Sequence, residues 1–189
     1  MAWHARRSRA RAARPCGGGV SNATLDPARV HDADAPVSLF GPDAARAALH
    51  REGEAYVARA CTMMRRARAL VVGDRVANVD LLAQQRERLA VDLARYQRFK
   101  HQRIFDPVVA HGSASSKIVA RTMKFDCFQL GETFTAYHAR WRHLRASEWS
   151  VYRRDMIDTV DLLHTSLAAE ARAIRQLLLI SHFYAASHD

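Results

Sequence analysis

The stretch Val119–Leu144, VARTMKFDCFQLGETFTAYHARWRHL, decides how this chain reads. Its residues Val119, Met123, Cys127, Leu130, Phe134, Tyr137, Trp141 and Leu144 recur at spacings of 4, 4, 3, 4, 3, 4 and 3. An α-helix turns once in 3.6 residues, so alternating steps of three and four lay these side chains along one stripe. A strand would need apolar residues at every second position, and they are not there. The spacing predicts an amphipathic helix over about 115–144, with one apolar face to bury.

Similar stripes lie on both sides of it. Over 44–72, Leu49, Gly53, Tyr56, Ala60, Met63, Ala67 and Leu70 keep the same rhythm, with Asp43 as the expected N-cap and Gly73-Asp74 as the stop. Over 77–106, Leu82, Leu89, Leu93, Tyr96 and Phe99 share a side. Pro107 is expected to end this helix, because proline disfavours helical geometry in the residue before it. VVAHGSAS then reads as a loop. Over 148–185, Met156, Val160, Leu163, Leu167, Ile174 and Leu177 form the last stripe, with Ser147 as N-cap.

Four long helices with short connections predict an all-α, antiparallel up-down-up-down four-helix bundle over 43–185. Residues 1–42 contain PCGGG, Pro27, Pro36 and GPD with little apolar periodicity. They read as a disordered basic N-terminal tail.

At 49% hydrophobic and 25% charged among 189 residues, the composition is that of a globular protein. The net charge is +10, and the 29 basic residues include only three lysines, Lys100, Lys117 and Lys124. Arg6, Arg7, Arg9, Arg11 and Arg14 stand in a segment without acids, so about half of the excess charge belongs to the tail. The rest is spread among acidic residues, which is the pattern of a solvated surface rather than a nucleic-acid interface. Cys16, Cys61 and Cys127 are odd in number and lack a C-x-x-C pair, against a disulfide framework or a zinc module. No apolar run approaches the length of a membrane span, and the arginine-rich start lacks the apolar core of a secretory signal. A cytoplasmic location is therefore expected, with no membrane partner. P-loop, dinucleotide-binding and hydrolase-elbow motifs are absent, and no nucleophile is paired with a base.

A helical bundle builds sites in its core, from polar side chains that point inward on facing helices. Glu170 lies on the Leu163–Leu167–Ile174 line, with Ser166 one turn before it. Asp126 flanks the Met123–Leu130 stripe, and Asp92, Lys100 and His101 border the line through Leu89, Leu93 and Tyr96. Of the ten histidines, His101, His138, His143 and His164 fall at core-edge positions. Ordinary roles stand beside any ligand role. His101 with Lys100 and Arg103 would complement the negative end of its helix, Asp106 would cap the next loop, and Glu170 would pair with an arginine across the bundle.

The runs Leu82–Ser113 (LAQQRERLAVDLARYQRFKHQRIFDPVVAHGS), Met123–Trp141 (MKFDCFQLGETFTAYHARW) and Leu162–Ile174 (LLHTSLAAEARAI) resemble a bacterial hemerythrin-like (HHE cation-binding) domain. The resemblance covers about 44–180 and implies a four-helix bundle. It also implies a diiron centre that reacts with oxygen or senses redox state, held by imidazoles and carboxylates.

Several family ligand positions are changed. Tyr96 and Lys100 stand where the family has H-x-x-x-E on the second helix. Ser166 replaces the histidine that precedes Glu170, and Arg142 follows His138 where H-x-x-x-H is the pattern. His101, Asp106, His138, His164 and Glu170 remain as candidate metal ligands. On a regular helix His101 and Asp106 would lie about 140° apart. The resemblance with these changes implies a non-enzymatic regulatory or interaction module with no cofactor, an unidentified protein partner and an open oligomeric state. The alternative is an iron-binding oxygen or redox sensor built on those five residues. A second alternative is a nucleic-acid-binding module that uses the basic tail.

Overall fold

The computed structural model describes residues 37–72 and 76–183. The expected tail over 1–36 and the Gly73-Asp74 stop lie outside the described residues, and with them the nucleic-acid alternative. Among the described residues five α-helices carry the fold: α1 (Asp43–Val72), α2 (Val79–Lys100), α3 (Asp106–His111), α4 (Ala114–Arg140) and α5 (Trp149–Ile180). A π turn over His101–Phe105 joins α2 to α3, so these form one rod. The rods α1, α2–α3, α4 and α5 run antiparallel in sequence order, with α1 packed on α2 and α5, and α4 packed on α5 and on the α2–α3 rod. This is the expected all-α up-down-up-down four-helix bundle.

Pro107 does not end the second helix. Asp106 keeps helical angles (φ −63°, ψ −44°), and the rod continues to His111. A proline in a regular helix lacks the N–H for the fourth carbonyl back and collides with that carbonyl. The π turn just before Pro107 widens the helix, and the Asp106 N–H bonds to the His101 carbonyl five residues back. VVAH is therefore helical, and the link to α4 shrinks to Gly112-Ser113. Ser113 caps α4 by accepting a bond from the Ser116 N–H at 3.2 Å.

Other boundaries also differ from expectation: Asp43 is the first residue of α1 rather than its cap, α4 ends at Arg140 rather than 144, and α5 ends at Ile180 rather than 185. Ser147 does not cap α5; a short 3-10 turn over Ala146–Glu148 leads in, and the Glu148 carboxylate accepts the Arg145 N–H at 3.1 Å. Residues 37–42 belong to the bundle, not to a tail. Strand β1 (Val37–Ser38) pairs antiparallel with β2 (His182–Phe183), the Leu39 N–H bonds to the Ser181 carbonyl at 3.0 Å, and Leu39 and Phe40 pack on the core. Gly41 then turns the chain into α1 with φ of 76°, a left-handed angle that other residues avoid.

The core has two parts. The larger one joins Met64, Leu89, Tyr96, Phe99, Phe105, Met123, Phe134, Leu163 and Leu167. The smaller one gathers Val71, Leu82, Trp141, Trp149, Tyr152 and Met156. Each such side chain contributes about 1.5–3 kcal/mol by leaving water. On the expected stripe Met123, Cys127, Phe134 and Trp141 are buried and Leu130, Tyr137 and Leu144 half-buried, but Val119 is exposed and its neighbour Ala120 takes the core position.

Arg86 enters the smaller core at only 6% exposure. Its Nη2 donates to the Trp141 carbonyl at 2.6 Å, just past the end of α4, and its guanidinium lies 6.0 Å from the centre of the Tyr152 ring. Carbonyls at a helix C-terminus have no partner within the helix and carry partial negative charge, which this cation answers.

Candidate functional site

Tyr96 and Lys100 are four residues apart on α2, so they sit one turn apart on the same face. That face is turned into the bundle, where α4 presents Cys127 and α5 presents Glu170. Lys100 Nζ lies 2.5 Å from Glu170 Oε1, with the lysine side chain 4% exposed and the glutamate 11%. The same ammonium stands 4.2 Å from the centre of the Tyr96 ring, a cation–π contact. Cys127 interacts with both Lys100 and Glu170.

Burial pushes the Cys127 thiol above its usual range; Lys100 opposes this and Glu170 adds to it. The Tyr96 phenol is pushed far up as well, first by burial and then by Glu170 and Cys127. Both groups therefore stay protonated at neutral pH. The Tyr96 hydroxyl and Glu170 Oε2 are buried and have no hydrogen-bond partner among the described residues.

Two open clefts reach this cluster from either side of α4. One, between α2 and α4, is about 160 Å³ and is lined by Tyr96, Gln97, Lys100, Cys127, Gly131 and His138. The other, between α4 and α5, is about 350 Å³ and is lined by Met123, Asp126, Cys127, Ser166 and Glu170. No family model, curated protein or solved structure matches the chain. What the core can do has to be read from its own side chains.

The five candidate ligands are scattered. His101 lies in the π turn, its ring edge-on to Phe105 at 5.6 Å, and its buried Nε2 has no partner among the described residues. Burial first, then Lys124 and Lys100, holds its imidazole below the usual pKa, with Asp106 pulling the other way. The π turn sets Asp106 one wide turn from His101 rather than 140° round, because residue i+5 closes the turn. The Asp106 carboxylate nonetheless turns to Lys124, 2.5 Å away. It is an ion-pair partner and not a loop cap.

His138 bonds Glu87 at 2.9 Å near the rim. His164 and His143 are exposed. Glu170 is taken by Lys100. Among the described residues, no group of three or more His, Cys, Asp or Glu is arranged to hold a metal. The side chains as placed do not fit the diiron centre that the resemblance implies.

The sequence set Lys100 where the resembling family has a ligand, but its pairing with Glu170, for which an arginine was expected, was missed. A signal was present. The chain has 26 arginines and three lysines, and one of the three falls a single turn after Tyr96 on an apolar stripe. A slender stem with a compact charge fits such a site, whereas a planar guanidinium with five donors would leave most of them unpaired. The buried Arg86 also went unnoticed; its place between Leu82 and Leu89 was the available sign.

Proposed function

We propose that this chain is a hemerythrin-like bundle that works without metal, as a non-enzymatic regulatory or interaction module. One observation carries the reading. Glu170, the carboxylate retained at a family ligand position, is neutralised by the Lys100 ammonium at 2.5 Å inside the core. A metal ion at this place would have to displace that ammonium and then bear its repulsion at close range, in surroundings that screen charge poorly.

The chemistry of the remaining groups supports the non-enzymatic part. A nucleophile works when an adjacent base or a lowered pKa activates it. Here burial holds the Cys127 thiol and the Tyr96 phenol in their protonated forms.

The test is metal analysis of full-length protein purified without a histidine tag, with an absorption spectrum recorded after exposure to air. The expected result is iron well below stoichiometric amounts and no oxo-bridge charge-transfer band. Stoichiometric iron with that band would overturn the reading in favour of the oxygen- or redox-sensor alternative.

A further inference from the structure

Helix α4 carries a second apolar stripe on the side away from the core. Ile118, Phe125 and Phe128 are 64%, 62% and 53% exposed. With Arg121 and Glu132 they follow steps of 3, 4, 3 and 4, which places all five on one face. That face is roughly opposite the stripe Met123–Cys127–Leu130–Phe134 that α4 buries. A helix that is apolar on both sides is normally covered on both. Two exposed phenylalanines one turn apart form a patch of the kind that marks an interaction surface.

The charges say what covers it. Arg121 and Glu132 are both exposed and have no partner among the described residues. They lie at equal distances on either side of the midpoint between Asp126 and Cys127. Phe125 and Phe128 lie symmetrically about the same midpoint. We propose that α4 pairs with α4 of a second copy of this chain, antiparallel, about a two-fold axis at that midpoint.

In this register Phe125 packs on Phe128 of the second copy and Arg121 faces Glu132 of the second copy. Each contact occurs twice, as an isologous interface requires. Ile118 falls opposite Thr135 of the second copy. A parallel pairing would set Arg121 against Arg121 and Glu132 against Glu132, so the charges select the antiparallel one. The stripe from Ile118 to Glu132 is about 21 Å long at 1.5 Å per residue. A single helix pair of that length buries on the order of 1,000 Å², the low end for specific association. The pairing is independent of the Lys100–Glu170 cluster.

Sedimentation velocity on the full chain, from about 1 to 200 μM, tests this. The expected result is a reversible monomer–dimer equilibrium that Phe125→Asp abolishes, with unchanged helical circular dichroism because the position is exposed. Arg121→Glu and Glu132→Arg, each alone, replace two attractions by two repulsions and weaken association by about tenfold. The double variant Arg121→Glu/Glu132→Arg restores it. A monomer throughout the range would assign the face to a different protein and end the proposal. A dimer indifferent to Phe125→Asp, or a double variant as weak as the singles, would overturn it as well.

Discussion

Lys100 Nζ and Glu170 Oε1 are 2.5 Å apart inside the bundle, each the ionic partner of the other across α2 and α5. Removing charges from water is costly, and their mutual attraction offsets the cost only while both are present. Lys100→Met or Glu170→Leu alone leaves one buried charge uncompensated and should lower stability by about 3–5 kcal/mol. The double variant Lys100→Met/Glu170→Leu should lie within about 1–2 kcal/mol of the parent, or above it, as apolar replacements of buried ion pairs do. Urea unfolding of the four proteins gives the cycle. Single losses well under 1 kcal/mol would mean that the pair is solvated.

His101 predicts a loss of stability toward acid. Its imidazole is held below the usual value of 6.5 in the folded chain by burial, Lys124 and Lys100. Between the folded and unfolded pKa values the unfolded chain binds more protons, so stability falls as pH falls. The contribution of His101 is complete above pH 6.5 and is lost as pH drops through the folded value. Its partial exposure keeps the effect modest. Thermal melts from pH 7.5 to pH 5 should show a shallower decline for His101→Gln than for the parent; identical slopes would refute the assignment.

The Cys127 thiol should be slow to alkylate. Burial raises its pKa and leaves the residue only 7% exposed where it lines the two clefts, and thiolate character with access sets thiol reactivity. With iodoacetamide at pH 7.5, peptide mass mapping should find Cys127 modified at least about tenfold more slowly in native protein than in urea. Equal rates would place the thiol at the surface.

Gly112 is required by a close approach. A Cβ there would stand 2.6 Å from the Val108 carbonyl oxygen and 3.0 Å from Val108 Cγ1. The first of these is backbone, held by the Gly112 N–H bond to the same oxygen at 2.8 Å, so it cannot swing away as a side-chain tip would. Gly112→Ala should cost about 1–3 kcal/mol in chemical denaturation, the range for overpacking.

Much of the fold was legible because a helical stripe is a local property. The α4 pattern needed no partner to be read, and Met123, Cys127, Phe134 and Trp141 are buried as their spacing implied. The readings that failed were also local, but they depended on competition. Proline usually ends a helix; at Pro107 the packing of Ile104, Phe105 and Val108 in the core holds the rod together, and the π turn relieves the clash. The strand pair that ties residues 37–38 to 182–183 joins segments far apart in sequence, and no periodicity within either one reveals it.

The amino-acid sequence by itself determined the helices, their antiparallel order and the residue types along each apolar stripe. Each of these follows from spacing and residue type along one chain segment. Only the tertiary structure decided which charges meet. It set Lys100 against Glu170, Asp106 against Lys124 and Arg86 against the end of α4, and it left Phe125 and Phe128 uncovered. The reason is physical. A helix stripe is fixed by 3.6 residues per turn, whereas an ion pair between helices depends on rotation and axial shift, and these are set by packing the whole bundle.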